Sequence, residues 1–338
     1  MDKNIILKVE NLKTYFPIRS GLLNKVVNNV KAVNGVSFEL KRKETLGIVG
    51  ESGCGKSTLA KTIMRGVLAK EGKIIFNKDN EEIDLLSLNK KELKNMRKSI
   101  QMIFQDPFSS LNSRMTVRDI ITEPLKINKI VKTKEEIDNH AVKLMKDVGL
   151  DPKYLNRYPH AFSGGQRQRI GVARSLALNP SIILADEPTS ALDVSVQSQL
   201  LNLLRDLQEK YELSMLFISH DLGVVEHISD KIAVMYVGNI VEIGKTKDVF
   251  KNPVHPYTKA LLSAMPIPNP HKKSEKEILE GEVADPANIP SGCAFHPRCK
   301  YAEEICKKEK PFLEKIEEND YTQVSCHFKN ILSKGEKK

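Results

Sequence analysis

Short apolar runs that end in glycines or carboxylates alternate along this chain with longer stretches of helical period. "TLGIV" (Thr45–Val49) stops at a glycine-rich turn, and a helix-like run follows it. "SIILADEPTS" from Ser181 and "LSMLFISHD" from Leu213 repeat the strand-like pattern. Between them "VSVQSQLLNLLRDLQEKY" sets Val196, Leu200, Leu203, Leu204 and Leu207 at helical spacing. Strands alternating with helices predict an α/β fold around a parallel sheet. Within it, "TKEEIDNHAVKLMKDVGL" opens with Thr133 and Glu136 at capping-box spacing and lines up Ile137, Ala141, Leu144, Met145 and Val148. That predicts a helical subdomain over about 107–178, inside a first domain of residues 1–250. From Lys251 the chain turns proline-rich ("NPVHPYTKALLSAMPIPNPHKK"), which predicts an appended segment, 251–338, with "KGEKK" fraying at its end.

Composition narrows the class. With 40% hydrophobic and 28% charged residues over 338, the chain has material for a full core. The opening "MDKNIILKVENLKTYF" has no apolar h-region, so no signal peptide is expected. No apolar run approaches the roughly 18 residues of a membrane span. The net charge of +10 fits nucleic acid, an anionic membrane surface or merely a lysine-rich surface. The lysines are dispersed, and no basic block with interleaved aromatics supports a nucleic-acid partner.

The first chemistry lies at "GESGCGKS", Gly50–Ser57, which satisfies G-x-x-x-x-G-K-[ST] after a strand and before a helix. Such a loop turns backbone N–H groups and a helix N-terminus toward the phosphates of ATP. Gly50, Gly53 and Gly55 permit the close approach, with Ser52 and Cys54 between them. Lys56 brings a point charge, Ser57 a hydroxyl for Mg2+, and Thr58 a further phosphate contact. Cys54 reads either as a redox-sensitive thiol or as a small side chain turned away from the nucleotide. "IILADE" ends an apolar strand in two carboxylates: Asp186 for Mg2+, and Glu187 as the general base on the attacking water.

Further stretches carry a family resemblance. "FSGGQRQR" (Phe162–Arg169) resembles the signature of ATP-binding cassette (ABC) ATPases, "SALD" (Ser190–Asp193) their D-loop, "ISHD" (Ile218–Asp221) their H-switch and "IFQDP" their Q-loop. All stand in family order. The resemblance implies a P-loop NTPase (RecA-like) core with the family's antiparallel β and helical subdomains, and a head-to-tail dimer around two ATPs. In it Ser163, Gly164 and Gly165 meet the partner's γ-phosphate, Gln166 supports that loop, and Ser190 and Asp193 form the D-loop. His220 contacts the γ-phosphate and orients the water; Gln105 senses Mg2+. Adenine stacks on an aromatic of "NLKTYFP", Tyr15 in preference to Phe16, and the following "PIRSGLLNKVVNNV" reads as an exposed loop.

Two classes remain, a transporter's ATPase and a non-transport cassette protein. About a hundred residues separate P-loop from signature, too few for the coiled coil of chromosome-maintenance relatives, and translation-type relatives fuse two cassettes. "NPVHPYTKALLSAMP", "FPIRSGLL" and "DPFSSLNSRMTVRDII" resemble oligopeptide and dipeptide importer ATPases, of the OppF/DppF type. Ser113 departs from the proline usual there. Nickel and oligosaccharide importers share the architecture. The resemblance implies a heterodimer with a paralogous ATPase (a homodimer is the alternative), two permease subunits whose coupling helices meet the region from Gln105 to Thr122, an extracytoplasmic peptide-binding protein, and a peripheral place on the cytoplasmic face of the membrane.

Four of the five cysteines stand in the tail: Cys293, Cys299, Cys306 and Cys326, spaced C-x5-C-x6-C-x19-C. A cytoplasmic chain does not keep stable disulfides, so metal is expected. Four thiolates suit tetrahedral zinc or an iron–sulfur cluster. The related importers carry this set, and some hold a [4Fe–4S] cluster, so the resemblance favours iron–sulfur over Zn2+. His296 and His327 read as bystanders. A tail short of apolar periods buries little core, so a structural staple is the expected role.

Overall fold

The computed structural model describes residues 2–21, 24–79, 81–265, 279–317 and 319–334. Leu22 and Leu23 of "FPIRSGLL", residues 266–273 of the proline-rich stretch and the last four residues lie outside them. The chain divides into two compact units, one from residues 1–40, 45–86 and 220–338, the other from 41–44 and 87–219.

The first unit opens with β1 (Ile5–Ser20), β2 (Lys25–Lys41), β3 (Thr45–Val49), α1 (Lys56–Ile63), β4 (Glu71–Lys78) and β5 (Glu81–Asp84). Four of these form a sheet in the order β2-β1-β4-β5. Its register pairs Leu7 with Phe76 and Val9 with Ile74, and all four side chains are buried. That alternation fixes which face meets the core. Of the stretch expected to be an exposed loop, residues 17–20 continue β1 and residues 25–30 begin β2, with Val26 and Val27 exposed as expected and Asn28–Val30 half-buried.

The second unit runs through α2 (Lys90–Met96), β6 (Ile100–Ile103), α3 (Pro107–Ser110), α4 (Val117–Ile127), α5 (Lys134–Asp147), α6 (Gly164–Leu176), β7 (Ile182–Asp186), α7 (Val194–Tyr211) and β8 (Ser214–Ile218). β6, β7 and β8 are parallel neighbours, and every residue of β7 and β8 is buried. Strands covered on both faces need continuous apolar runs, which is how they read in the sequence. The capping box at Thr133 and Glu136 starts α5, which buries Ala141, Leu144 and Met145; Val148 is buried at its C-cap and Ile137 only half. In α7 the buried face is Leu200, Leu201, Leu204 and Leu207. Val196 and Leu203 are half-buried, and the expected face had missed Leu201.

The chain then returns to the first unit with α8 (Leu222–Ile228), β9 (Lys231–Tyr236), β10 (Asn239–Lys245), α9 (Thr246–Lys251), α10 (Pro256–Ser263), α11 (Glu304–Lys308), β11 (Glu314–Ile316), β12 (Asn319–Val324) and α12 (Lys329–Ser333). β3 lies parallel to β9, and β10, β12 and β11 follow antiparallel. The tail therefore extends a sheet. It also holds a small apolar cluster, Val254, Ile316, Val324 and Leu332. Buried Glu242 of β10 accepts the backbone N–H groups of Val254 and His255 (2.9 Å each) and so fixes the entry to α10.

Candidate functional site

In the first unit, β3 delivers the chain into "GESGCGKS" at the N-terminus of α1. Two of its glycines are dictated by geometry. Gly50 (φ 151) would set a Cβ 2.2 Å from the Met235 carbonyl oxygen, and Gly55 (φ 107) one 1.9 Å from that of Ala32. Any side chain at either position would collide with backbone. Lys56 is buried, and its Nζ donates to the carbonyls of Gly50 (2.8 Å) and Glu51 (3.0 Å), so the loop is folded around its own lysine. Ser52 and Gly53 are exposed; Ser57 and Thr58 are half-buried. The Cys54 side chain is 2% exposed, and burial pushes its thiol up. A buried thiol held protonated is a poor redox sensor, so of the two readings the inward-facing one stands.

Tyr15 lies half-buried in the same unit. Its hydroxyl donates to Asn34 Oδ1 (2.7 Å), and Lys70 Nζ sits 4.7 Å from its ring centroid. Phe16 is exposed. His220 is exposed just before α8, whose N-cap is Asp221.

The second unit carries the remaining motif residues. Asp186, at the end of β7, is 3% exposed. Glu187 follows at φ 45, a left-handed conformation that costs a non-glycine residue on the order of 1 kcal/mol or more. Its N–H donates to Ile218 O (3.0 Å), and its carboxylate accepts Gln105 Nε2 at 3.0 Å. Gln105 and Glu187, 82 residues apart, are thus in direct contact. Ser190 Oγ donates to the Glu187 carbonyl, and Asp193 caps α7.

The signature forms the start of α6. Ser163 Oγ accepts the Gln166 N–H (3.3 Å) and Gln166 Oε1 accepts the Ser163 N–H (3.0 Å). The expected support by Gln166 is thus a capping box. Both side chains are otherwise exposed. A Cβ on Gly165 would fall 2.3 Å from Val196 Cγ1, whereas one on Gly164 would meet Leu192 no closer than 3.8 Å. Gly165 is therefore required by the approach of α7.

Two groups of contacts had no counterpart in the sequence reading. α6 grips the Q-loop segment: Gln168 Nε2 donates to Phe104 O (3.4 Å), Arg174 Nη1 to Ser110 O (2.6 Å), and the Arg167 guanidinium lies 4.4 Å from the Phe108 ring centroid. In the first unit, Glu51 is held by Tyr257 and Arg298, more than 200 positions away. Glu51 lies inside a recognised motif, but nothing in local spacing marks its partners.

The four tail cysteines carry no disulfide and line one cavity of about 20 Å3. Burial pushes Cys299 up to about 11 and Cys326 up to about 12, and the neighbouring thiols add to the effect. As bare thiols these two are protonated at neutral pH; a bound cation would reverse that. The donor set is all thiol and fits a thiolate-held group. Among the described residues, no three or more His, Cys, Asp and Glu side chains are already arranged to hold a metal ion. His296 and His327 bond to backbone carbonyls, of Cys293 and Glu309 (both 2.9 Å).

Known proteins match this arrangement along almost the whole chain. The oligopeptide transport ATP-binding protein AppF of Bacillus subtilis is 50% identical over 329 residues, covering 96% of this chain and 98% of its own. OppF of Salmonella typhimurium is 48% identical, covering 92% and 93%. Dipeptide transport protein DppF of Haemophilus influenzae is 47% identical, covering 95% and 96%. This chain is an ABC transporter ATP-binding protein of the oligopeptide/dipeptide importer family. Family profiles described as "ABC transporter" and "Oligopeptide/dipeptide transporter, C-terminal region" match residues 33–190 and 241–306 of this ABC protein. Its fold resembles a dimeric ATP-binding cassette solved in a post-hydrolysis state with ADP and Pi (TM-score 0.62, 29% identity, covering 71% of this chain and 99% of that one). It is also similar to CbiO1 of Clostridium perfringens, part of an ABC transporter complex (TM-score 0.61, 28% identity, covering 73% and 91%). Among the described residues of this ABC protein, no helix is long and apolar enough to cross a membrane.

Proposed function

We propose that this chain is the ATPase subunit that powers oligopeptide or dipeptide import, bound peripherally at the cytoplasmic face of the membrane. The observation that carries the peptide assignment is the tail. Its match to the oligopeptide/dipeptide C-terminal region accompanies about 50% identity to peptide-transport ATPases over nearly full length. Lys56 and the loop N–H groups bind the phosphates, Ser57 and Asp186 offer ligands to Mg2+, and Tyr15 stacks adenine. Glu187 polarises the attacking water, and Gln105, already hydrogen-bonded to it, adjusts its carboxylate when Mg2+ arrives. His220 orients the water. Ser163, Gly164, Gly165 and Gln166 serve the partner cassette's ATP, with Ser190 and Asp193 in the D-loop.

The partner is a paralogous ATPase, joined by two permease subunits and an extracytoplasmic peptide-binding protein. The exposed Phe104, Phe108 and Tyr158 supply an apolar surface suited to the permeases' coupling helices. Cys293, Cys299, Cys306 and Cys326 hold a [4Fe–4S] cluster. What supports this reading is the all-thiol lining of one cavity, which suits a thiolate-held group, together with the family resemblance that favours the cluster over Zn2+. Uptake in cells deleted for this chain, before and after the chain is returned, tests the transport reading: di- or oligopeptide import restored with the chain supports it, and restoration of nickel uptake alone would overturn it. Iron and sulfide analysis of anaerobically purified protein tests the cluster. About four irons with matching sulfide are expected, and one zinc without iron would refute it.

A further inference from the structure

We infer that Arg298 is a positioning residue for the P-loop: through Glu51 it holds the loop in its nucleotide-ready shape, and so sets ATP affinity without touching ATP. The inference rests on the assignment of Gly50–Ser57 as the ATP site.

The need for such a hold follows from the loop itself. Gly50, Gly53 and Gly55 all sit at positive φ, where glycine has little conformational preference of its own. Unless something else fixes it, ATP must order the loop on binding, and that ordering subtracts from affinity. The Lys56 bonds to Gly50 and Glu51 cannot serve throughout, because the lysine must turn to the phosphates. Glu51 has two further anchors. Its N–H donates to Tyr257 Oη at 3.0 Å, which turns that group away from the phosphates and makes it a structural tie. Its carboxylate accepts Arg298 Nη1 at 2.9 Å and Nη2 at 3.3 Å, a two-pronged pairing that fixes orientation as well as distance.

Both anchors belong to one packed group. Tyr257 is fully buried against Tyr236 (ring centroids 4.8 Å apart) and Phe295 (5.5 Å). Phe295 and Arg298 both lie between Cys293 and Cys299. The Arg298 side chain is only 7% exposed, with its Nε buried and unpartnered, so the guanidinium has given up water to stand where it does. A buried cation is tolerated beside a fixed anion, and Glu51 supplies it. The tail is therefore part of the nucleotide half-site in this unit. Coupling of this kind is reciprocal, so ATP on the loop must tighten the tail.

The test is titration of the full chain with mant-ATP, alongside thermal unfolding. Arg298→Ala and Glu51→Gln are each expected to weaken binding about tenfold, within the usual range of coupling between sites. The double variant should be no weaker than either single one, since both remove the same link. Arg298→Lys, which keeps the charge but not the fork, should recover part of the loss. Lys329→Ala breaks a different tail ion pair, with Glu314, and should bind like wild type. In the assembled transporter Arg298→Lys should raise KM for ATP and leave kcat unchanged. Wild-type affinity in both Arg298→Lys and Glu51→Gln would overturn the inference, as would fully additive losses. These two variants keep the test valid if Arg298→Ala fails to fold. Lys56→Ala separates the two claims: undiminished ATP binding there would refute the P-loop assignment itself. Loss of binding in Lys56→Ala with none in the Arg298 and Glu51 variants would refute only the coupling.

Discussion

Gly165→Ala separates the packing role of the signature from its chemical one. The new Cβ would lie 2.3 Å from Val196 Cγ1, where carbon atoms normally rest about 3.5–4.0 Å apart, so one of the two must give way by more than an ångström. Val196 cannot easily rotate aside, because a β-branched residue in a helix has essentially one χ1 well. α6 or α7 must therefore shift, at a cost of about 1–3 kcal/mol for a single overpacked methyl. Alanine returns up to about 1 kcal/mol through helix propensity. The net expectation is about 1–2 kcal/mol of destabilisation, read from urea unfolding as a lower midpoint with unchanged slope. Adding Val196→Ala makes room for the methyl and should restore most of that loss. On the role proposed for Gly165 at the partner cassette's ATP, ATPase activity of the assembled transporter should stay low in the stable double variant. Wild-type stability in Gly165→Ala alone, or no rescue by Val196→Ala, would refute the steric argument. Full activity in the rescued variant would mean that Gly165 serves packing only.

Three other outcomes are expected. Glu187→Gln should lower ATP turnover in the assembled transporter by a factor of about 100 or more while ATP still closes the dimer, checked by phosphate release and size-exclusion chromatography. Burial lowers the pKa of His255 to about 3, so the folded chain keeps that ring neutral while the unfolded chain protonates it near 6.5. Its contribution is complete above about 6.5 and is lost as pH falls toward 3. Stability should therefore drop by about 2 kcal/mol between pH 7 and 5, and His255→Asn should flatten that part of the urea–pH profile. Glu242→Ala should destabilise by about 2–5 kcal/mol, because it strands the buried N–H groups of Val254 and His255. Glu242→Gln, which keeps an acceptor, should cost less in the same unfolding assay.

What the sequence disclosed depended on whether a residue's neighbours were close in the chain. The P-loop is a local device whose spacing named Lys56 directly, whereas Ser163 and Gln166 came from the resemblance of "FSGGQRQR" to the family signature and their capping box from the structure. β7 and β8 were legible because parallel strands covered on both faces must be continuously apolar. The far arms of the β1–β2 hairpin were not, since a strand with neither face buried shows no period of two. The face of α7 was slightly misplaced, because Val196 lies in the first turn, beside Gly165, and Leu201 takes its share of the buried stripe. The hold of Tyr257 and Arg298 on Glu51 spans 206 and 247 positions. No local pattern encodes contacts at that range; only the fold makes them neighbours.

The pairing of the tail with β10 bears on how this cassette can be handled as a reagent. Glu242 and Ile243 pair with Val324 and Gln323 on β12, and the sheet then ends at the three-residue β11, which carries Glu314 and Lys315. A short, charged terminal strand is a poor template for further pairing. Trimming the chain at residue 250 to obtain a minimal cassette would remove that guard and leave β10, with buried Ile240 and Val241, as an open edge. Such a fragment would carry a row of unpaired backbone groups beside apolar side chains, the combination that promotes strand-to-strand aggregation between copies. The tail thus doubles as a solubility element, and the natural place to shorten this protein lies beyond α12, which keeps Cys326 and the clustered Leu332.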